Sequence, residues 1–592
     1  MFLAKSESRQ ERMGARFQAP IPQYQKRGAV TMKVIIVGGV AGGAGTAARL
    51  RRLDENAEII MLERGDYISY ANCGLPYYIG GVIQDKGALQ VQTPEGFRSR
   101  FRVDVRTGNE AVSVDTKRKI VTVNRGGEIY EEHYDKLVLS PGAAPVCPKI
   151  AGMEENHVFT LRNIPDTYKI YHFIQEHRPQ SCVVIGAGFI GMEMAENLAH
   201  RGLKVTIVEG ASHVMPPIDM DMAHGVHNYI RAKGLGLYLG QTATSMDREG
   251  VILADGRKVP ADMVILSIGV RPDTGFLKDS GVELGTRGEI LVNEYMETSA
   301  EDVYALGDGT SVRNFVSGEQ TLIPLAGPAN KQGRIVADNL SGRHSIYKGS
   351  QGTSIMKFFD MTVTVTGEKE ESLSAKGRPF RKAITTSACH AGYYPGGDMM
   401  TVKTLFDPDT GVILGAQIVG GQGVDKRIDD LANAVRFKLT GKDLQEMELA
   451  YAPPFSSAKD PVNMAGYVIE NMMEGLMKPF YLEDLEKIKI PEDAQKVDVR
   501  TEAEYANGAI PGFKNIPLDS LRERLEELDL TKKIYITCQI GLRGYLAQRI
   551  LAQHGAETFN LAGGYRLYEM AETDRRAMAA VPKNCTQCGM EL

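Results

Sequence analysis

The chain has no second cysteine near Cys73, and this absence narrows its chemistry most. Cys73 stands in Ser69-Tyr-Ala-Asn-Cys-Gly-Leu-Pro76, and the next cysteine is Cys147 in Pro145-Val-Cys-Pro148. A redox pair that closes its own short disulfide is therefore excluded here, and a redox-active Cys73 must find its partner sulfur outside the chain. The seven cysteines are scattered and odd in number. That excludes a secreted disulfide framework and fits a reducing cytoplasm. No run of about 18 apolar residues occurs, so no membrane span is expected. An excess of one charge is missing too. Lys+Arg 69 against Asp+Glu 74 gives net charge −5, which provides no basic field for nucleic acid. Residues 1–31 lack the apolar stretch of a secretory signal and read as a disordered extension before Met32. A length of 592 residues predicts about three to five domains.

What is present begins with two nucleotide-binding layouts. Val34-Ile-Ile-Val37 is a short apolar, β-branched run suited to a buried parallel strand. It leads into Gly38-Gly-Val-Ala-Gly-Gly43, an alanine-rich helix, and a second strand that ends at Glu63, 25 residues after Gly38. Glycines let the backbone approach a pyrophosphate, the helix start offers amide donors, and the acid accepts from a ribose hydroxyl. Val40 stands where the middle glycine of the usual fingerprint falls. The second copy is complete: Gly186-Ala-Gly-Phe-Ile-Gly191, with Gly186, Gly188 and Gly191, then strand Lys204–Val208 and Glu209. An acid at Glu209, followed by Gly210 and Ala211, favours NADH, with NADPH the less favoured alternative.

Taken with Cys73 and the strand Val303-Tyr-Ala-Leu-Gly-Asp308, these units resemble the single-cysteine branch of the pyridine nucleotide–disulfide oxidoreductases. Residues 32 to about 470 are most similar to coenzyme A-disulfide reductases. The resemblance implies a two-dinucleotide-binding-domain flavoprotein of α/β class, with FAD held by Gly38, Gly42, Gly43, Glu63, Arg64 and Asp308. It implies nicotinamide cofactor at Gly186, Gly188, Gly191, Glu209 and Gly269. NADH peroxidases and oxidases of the branch carry a His where this chain has Ala41, so oxygen or peroxide reduction is disfavoured. Cys73 is the expected catalytic thiol, at the start of a helix that would favour its thiolate. By resemblance, coenzyme A would meet Ser69, Asn72, Arg49, Arg52 and Lys459. Tyr451 and Tyr394 (or Tyr393) would reach over the site from the partner subunit of a homodimer.

The register changes after Lys478-Pro479. Val497-Asp-Val-Arg500, Gly508-Ala-Ile-Pro-Gly512 and Cys538-Gln-Ile-Gly-Leu-Arg543 resemble an α/β rhodanese domain. A cysteine at a strand end, inside a six-residue loop closed by a helix, would face converging amides. Such a nest, with Arg543, stabilises a thiolate or persulfide. The expected organisation is 32–150 with 270–345 as a discontinuous FAD-binding domain around an NAD-binding domain at 151–269. An α+β dimerisation domain at 346–470, a linker at 471–490 and a rhodanese domain at 491–582 follow. The tail 583–592 carries Cys585-Thr-Gln-Cys588, a single pair that cannot close a four-ligand zinc site, and no metal is expected.

Three functions compete. The first is NADH-driven reduction of a persulfide or polysulfide, with sulfane sulfur handled at Cys538. The second is coenzyme A-disulfide reduction for thiol homeostasis. The third is sulfur delivery to a partner protein beside a redox-sensing flavin domain. The fused second module favours the first.

Overall fold

The computed structural model describes residues 31–487 and 489–580. Strand β1, Lys33–Val37, runs into helix α1, Ala41–Leu53, and returns as β2, Glu58–Glu63. A short helix, α2, covers Leu75–Gly80. β1 pairs in parallel with β2 and with Lys136–Leu139, and the outer strands Asp104–Thr107 and Val303–Ala305 complete a five-stranded sheet. Val34, Ile35 and Ile36 are fully buried because elements cover both faces of this sheet. Val37 lies level with Leu62 and Leu139, so three strand ends converge where the first glycine turn begins. That is the crevice in which parallel sheets bind ligands.

The same construction recurs with β3, Ser181–Ile185, α3, Phe189–His200, and β4, Lys204–Glu209. Here β3 lies between β4 and Met263–Leu266 in a second five-stranded parallel sheet. Helix α4, Met220–Ala232, follows, and α5, Ala326–Leu340, packs along α1 in the first unit. A five-stranded antiparallel sheet then contains β5, Met399–Phe406, as a hydrogen-bonded neighbour of Arg381–Ala388 and Ile413–Gly420. Its core includes Val402, Ile418, Ile428, Leu431 and Ile469.

The last unit is a five-stranded parallel sheet around β6, Ile534–Thr537, followed by α6, Leu542–Gln553, and α7, Gly564–Ala580. The stretch expected to be a linker, 471–490, is instead structured. Pro479–Phe480 forms the edge strand of this sheet, and Leu482–Glu486 is helical. Its Tyr481 hydroxyl donates to the Lys382 carbonyl at 2.7 Å. Beside it, fully buried Lys403 lies 2.6 Å from Asp221 and 3.0 Å from Asp219, and Lys382 lies 2.8 Å from Glu483. The final unit is therefore anchored to the rest of the molecule.

α7 docks on α4. Asp574 Oδ2 accepts from Nδ1 of His224 and of His227, both at 2.7 Å, and Oδ1 accepts from Arg231 at 2.6 Å. Among the described residues no helix is long and apolar enough to cross a membrane. The expectations for the N-terminal extension to residue 30 and for Cys585 and Cys588 lie outside the described residues.

Candidate active site

The two glycine turns are built alike. Gly38 and Gly186 have φ of +97° and +98°, and a Cβ on either would fall 2.1 or 2.4 Å from the carbonyl of Ser140 or Ser267. Gly43 and Gly191 press against the carbonyls of Gly38 and Gly186. Glu63 accepts from the amides of Gly39 and Gly65, both at 2.9 Å. Glu209 likewise accepts from Ala187 and Ala211, both at 2.7 Å. Each acid is thus locked at its strand end, beside the turn. Gly188 has nothing within 4 Å of where a Cβ would be, leaving backbone open to a ligand. Gly269, φ +106°, is exposed beyond the end of Met263–Leu266.

A cavity of about 310 Å³ opens at the first turn, lined among others by Gly38, Gly42, Glu63, Asn72, Arg162 and Asp308. Arg162 reaches Asp308 at 3.1 Å, and Arg64 at its rim pairs with Asp273 at 2.5 Å. Asn72 Oδ1 is buried without a hydrogen-bond partner, an acceptor that a bound group would satisfy. A glycine turn, a fixed acid, an unpaired amide oxygen and an aspartate on one cavity form a donor–acceptor set that fits a flavin dinucleotide.

Cys73 lies in the 3₁₀ turn Asn72–Gly74 that feeds α2. It is exposed, and no other described cysteine is bonded to it. The expected thiolate preference is corrected: desolvation by the surrounding fold, then the carboxylates of Glu193 and Asp308, push its pKa up. A helix of one and a half turns offers too little dipole to reverse that. Tyr77, one turn after Cys73, donates to Glu193 Oε1 at 3.4 Å. Burial pushes Glu193 up to about 7, although the Tyr77 hydrogen bond opposes the shift. Glu193, Tyr77 and Arg162 escaped the sequence reading. Only the position of Glu193 early in the helix after the second glycine turn could have marked it.

The tyrosines lie elsewhere on the subunit surface. Tyr451 bonds hydroxyl to hydroxyl with Tyr393 at 2.7 Å, whereas the Tyr394 ring packs edge-on against His390. Tyr393, not Tyr394, is therefore the residue joined to Tyr451. Tyr393 and Tyr451 are 75 % and 48 % exposed, and Lys459 is exposed too. Among the described residues none of them hydrogen-bonds to Cys73. Ser69, φ +44°, is held by its amide donating to Gly39 O at 2.9 Å. Arg52 is exposed and forms no ion pair among the described residues. Arg49 corrects another expectation. Its guanidinium holds Asp338 on α5 at 2.9 Å, so it braces two helices rather than standing ready for a phosphate.

At the second sulfur site, β6 delivers fully buried Cys538 to a loop closed by α6. The Gly541 amide donates to Cys538 Sγ at 3.1 Å, and Asn560 pins the Gly541 carbonyl at 2.9 Å. Arg543 is held by Glu504 through two 2.7 Å hydrogen bonds, which take the Glu504 carboxyl down to about 2. Its charge is answered first by Glu504, with Cys538 acting on it more weakly. A cavity of about 340 Å³ fronts the cysteine, with Met399 from β5 on its wall.

The profile described as pyridine nucleotide-disulphide oxidoreductase matches residues 32–333. The chain belongs to this family. The dimerisation-domain profile of the same family matches 353–461, and a rhodanese-like profile matches 482–571. The coenzyme A disulfide reductase of Staphylococcus haemolyticus is 38% identical over 439 residues, 74% of this chain and 98% of that protein. The crystal structure of reduced Bacillus anthracis CoADR-RHD is 47% identical, with a TM-score of 0.90 over 92% of this chain and 99% of that one. A NAD-dependent persulfide reductase from A. fulgidus is 35% identical, with a TM-score of 0.85 over 91% of this chain and 100% of that one. The protein is thus an oxidoreductase acting on sulfur groups, of a family that uses flavin and NAD(P)H, with a fused rhodanese domain. The expected fold class, two dinucleotide-binding units with dimerisation and rhodanese domains, holds.

Proposed function

We propose that this reductase is an NADH-dependent, FAD-containing persulfide reductase that uses coenzyme A as its diffusible thiol and releases sulfide in the cytoplasm. One observation carries the reading: a lone, solvent-exposed thiol at Cys73 shares a chain with a second sulfur site at Cys538. The first thiol would borrow its partner sulfur from a small molecule, and the cavity and the Gly541 amide at Cys538 support sulfane-sulfur binding at the second site.

Cys73 as thiolate attacks the coenzyme A sulfur of coenzyme A persulfide. The substrate's sulfur–sulfur bond breaks, a disulfide forms between Cys73 and coenzyme A, and hydrosulfide leaves with the bonding pair. Gly38–Gly43, Glu63, Arg162 and Asp308 would hold FAD, which when bound would supply the two-electron reduction, with electrons drawn from NADH, that the Cys73 disulfide needs. Glu193, pushed up to about 7 by burial, can hold or release a proton at neutral pH near the Cys73 thiol, on which its charge acts. Tyr451, hydrogen-bonded to Tyr393, would donate to the departing thiolate across a homodimer interface. Cys538 would take up sulfane sulfur and pass it to the coenzyme A thiol. Tethering both sites in one chain raises their effective concentration.

Glu209 at the second turn would bind the NADH ribose. Glu209→Ala is expected to raise the KM for NADH about 10-fold, the scale of one lost hydrogen bond to a charged group, with kcat little changed. Steady-state kinetics with NADH and NADPH checks this. An unchanged NADH:NADPH ratio would remove Glu209 from the specificity site.

The relative from S. haemolyticus favours a second reading, because nearly its whole length matches without the rhodanese segment. Coenzyme A disulfide would then be the substrate. Stopped-flow kinetics separates the readings. Rapid NADH-driven sulfide release from coenzyme A persulfide supports the first, with transfer from external persulfides lost in Cys538→Ser. Fast turnover on coenzyme A disulfide alone supports the second. Turnover on neither, with a partner protein still captured through the C-terminal domain, supports sulfur delivery beside a redox sensor.

A further inference from the structure

The rhodanese cavity holds two arginines, and only one has its charge answered. Arg543, in the first turn of α6, is held bidentately by Glu504, whose Oε2 also accepts from the Thr501 amide and hydroxyl at 3.0 Å. That pair is closed and electrically neutral. Arg566, from the first turn of α7, also lines the cavity. Its guanidinium has no ion pair or hydrogen bond among the described residues, and its Nε is buried and unpartnered. A desolvated guanidinium nitrogen without an acceptor is costly.

The backbone holds Arg566 firmly in register with the nucleophile. Tyr565 N–H donates to Cys538 O at 2.7 Å, and Arg566 N–H donates to Gln539 O at 3.0 Å. Gly564, φ +62°, makes this approach possible, since a Cβ there would lie 2.5 Å from Cys538 O. Gly541 presents its amide to the sulfur at 3.1 Å, so the loop itself serves the thiolate. The remaining positive charge in the cavity belongs to a different element.

We propose that Arg566 is the specificity-determining residue of the Cys538 site, and that it selects sulfane-sulfur donors bearing an anionic oxygen group over cationic ones. This rests on the reading of Cys538 as a sulfane-sulfur acceptor. With thiosulfate, Cys538 thiolate attacks the outer sulfur, the sulfur–sulfur bond of the donor breaks, and sulfite leaves with the bonding pair. The new bond makes a Cys538 persulfide, and charge and electrons balance without an external oxidant. An anionic organic persulfide reacts alike and releases its thiolate. In both, the guanidinium faces the oxyanion, whereas a donor with a cationic tail gains nothing from it.

The test is intact-protein mass spectrometry of the full-length chain, timing the gain of one sulfur at Cys538. Thiosulfate, glutathione persulfide and cysteamine persulfide serve as donors. Arg566→Gln is expected to slow loading from the two anionic donors roughly 10- to 100-fold, the span of one charge-assisted hydrogen bond. Cysteamine persulfide should be almost unaffected, and Arg566→Lys should recover part of the loss. A fall on thiosulfate alone would make the inorganic anion the ligand, and a fall on glutathione persulfide alone the carboxylate-bearing thiol. Equal slowing on all three donors, or none on any, overturns the assignment. If the wild-type protein gains no sulfur from any donor, the sulfane-sulfur reading of Cys538 fails first and this inference falls with it.

Discussion

Cys73→Ser is expected to abolish NADH-driven reduction of coenzyme A persulfide and coenzyme A disulfide, lowering kcat by more than about 10³-fold. Losses of that size follow removal of a covalent nucleophile. Serine keeps the shape of the turn but cannot form the disulfide on which the cycle depends. Among the described residues no other cysteine is placed to replace it. Cys147 is exposed elsewhere on the chain, and Cys182, Cys389 and Cys538 are buried. The variant should still bleach its flavin when mixed anaerobically with NADH, because the nicotinamide turn around Gly186 and Glu209 is untouched. Anaerobic stopped-flow absorbance resolves the two halves: normal flavin reduction, then no reoxidation by substrate. A variant that retained a tenth of wild-type turnover would show that Cys73 is not the thiol that matters.

Where chemistry is local in sequence, it was legible. Both glycine turns and their acids form short strand–turn–helix–strand units, so the positions of Glu63 and Glu209 follow from counting residues. The local settings of Cys73 and Cys538 were equally readable, the one in a turn that feeds a short helix and the other at a strand end before α6. What the sequence did not reveal depends on contacts between distant segments. Glu193 meets Tyr77 from another unit, 116 residues away, and Arg49 meets Asp338 across 289. No spacing rule links such pairs. The supposed linker was misread for a related reason. A two-residue edge strand such as Pro479–Phe480 has no periodicity of its own and is defined only by the sheet it joins. The thiolate preference expected at Cys73 failed because desolvation by the surrounding fold raises its pKa, with the carboxylates of Glu193 and Asp308, on other elements, adding to the shift.

The largest stability effect is expected at the α4–α7 junction. Asp574 is fully buried and accepts from His224, His227 and Arg231. Burial alone would raise its pKa, but those hydrogen bonds and charges hold it well below the usual carboxylate range. The Val214 amide donates to His227 Nε2 at 3.1 Å, so that ring is neutral with its proton on Nδ1, facing Asp574. His224 must likewise present an Nδ1 proton, since a carboxylate only accepts. Both histidines are therefore hydrogen-bonded to Asp574 rather than arranged with it around a cation. Asp574→Asn leaves Arg231 without its counter-charge and turns an amide toward existing donors, and should cost about 3–5 kcal/mol. The loss should fall on docking of α7, read as increased hydrogen–deuterium exchange across residues 564–580 together with a lowered Tm. Acid should mimic it. Burial lowers the His227 pKa, although Asp574 opposes the shift, so the undocked state binds more protons just below the ordinary histidine value of about 6.5. Docking is then at full strength above that pH and weakens as pH falls through it. The Asp574 contribution, with its depressed pKa, persists to much lower pH, so the onset belongs to His227. Protection of α7 that stayed constant from pH 8 to about 5, in a protein whose Asp574→Asn variant also kept its Tm, would mean that this buried cluster does not hold the rhodanese domain in place.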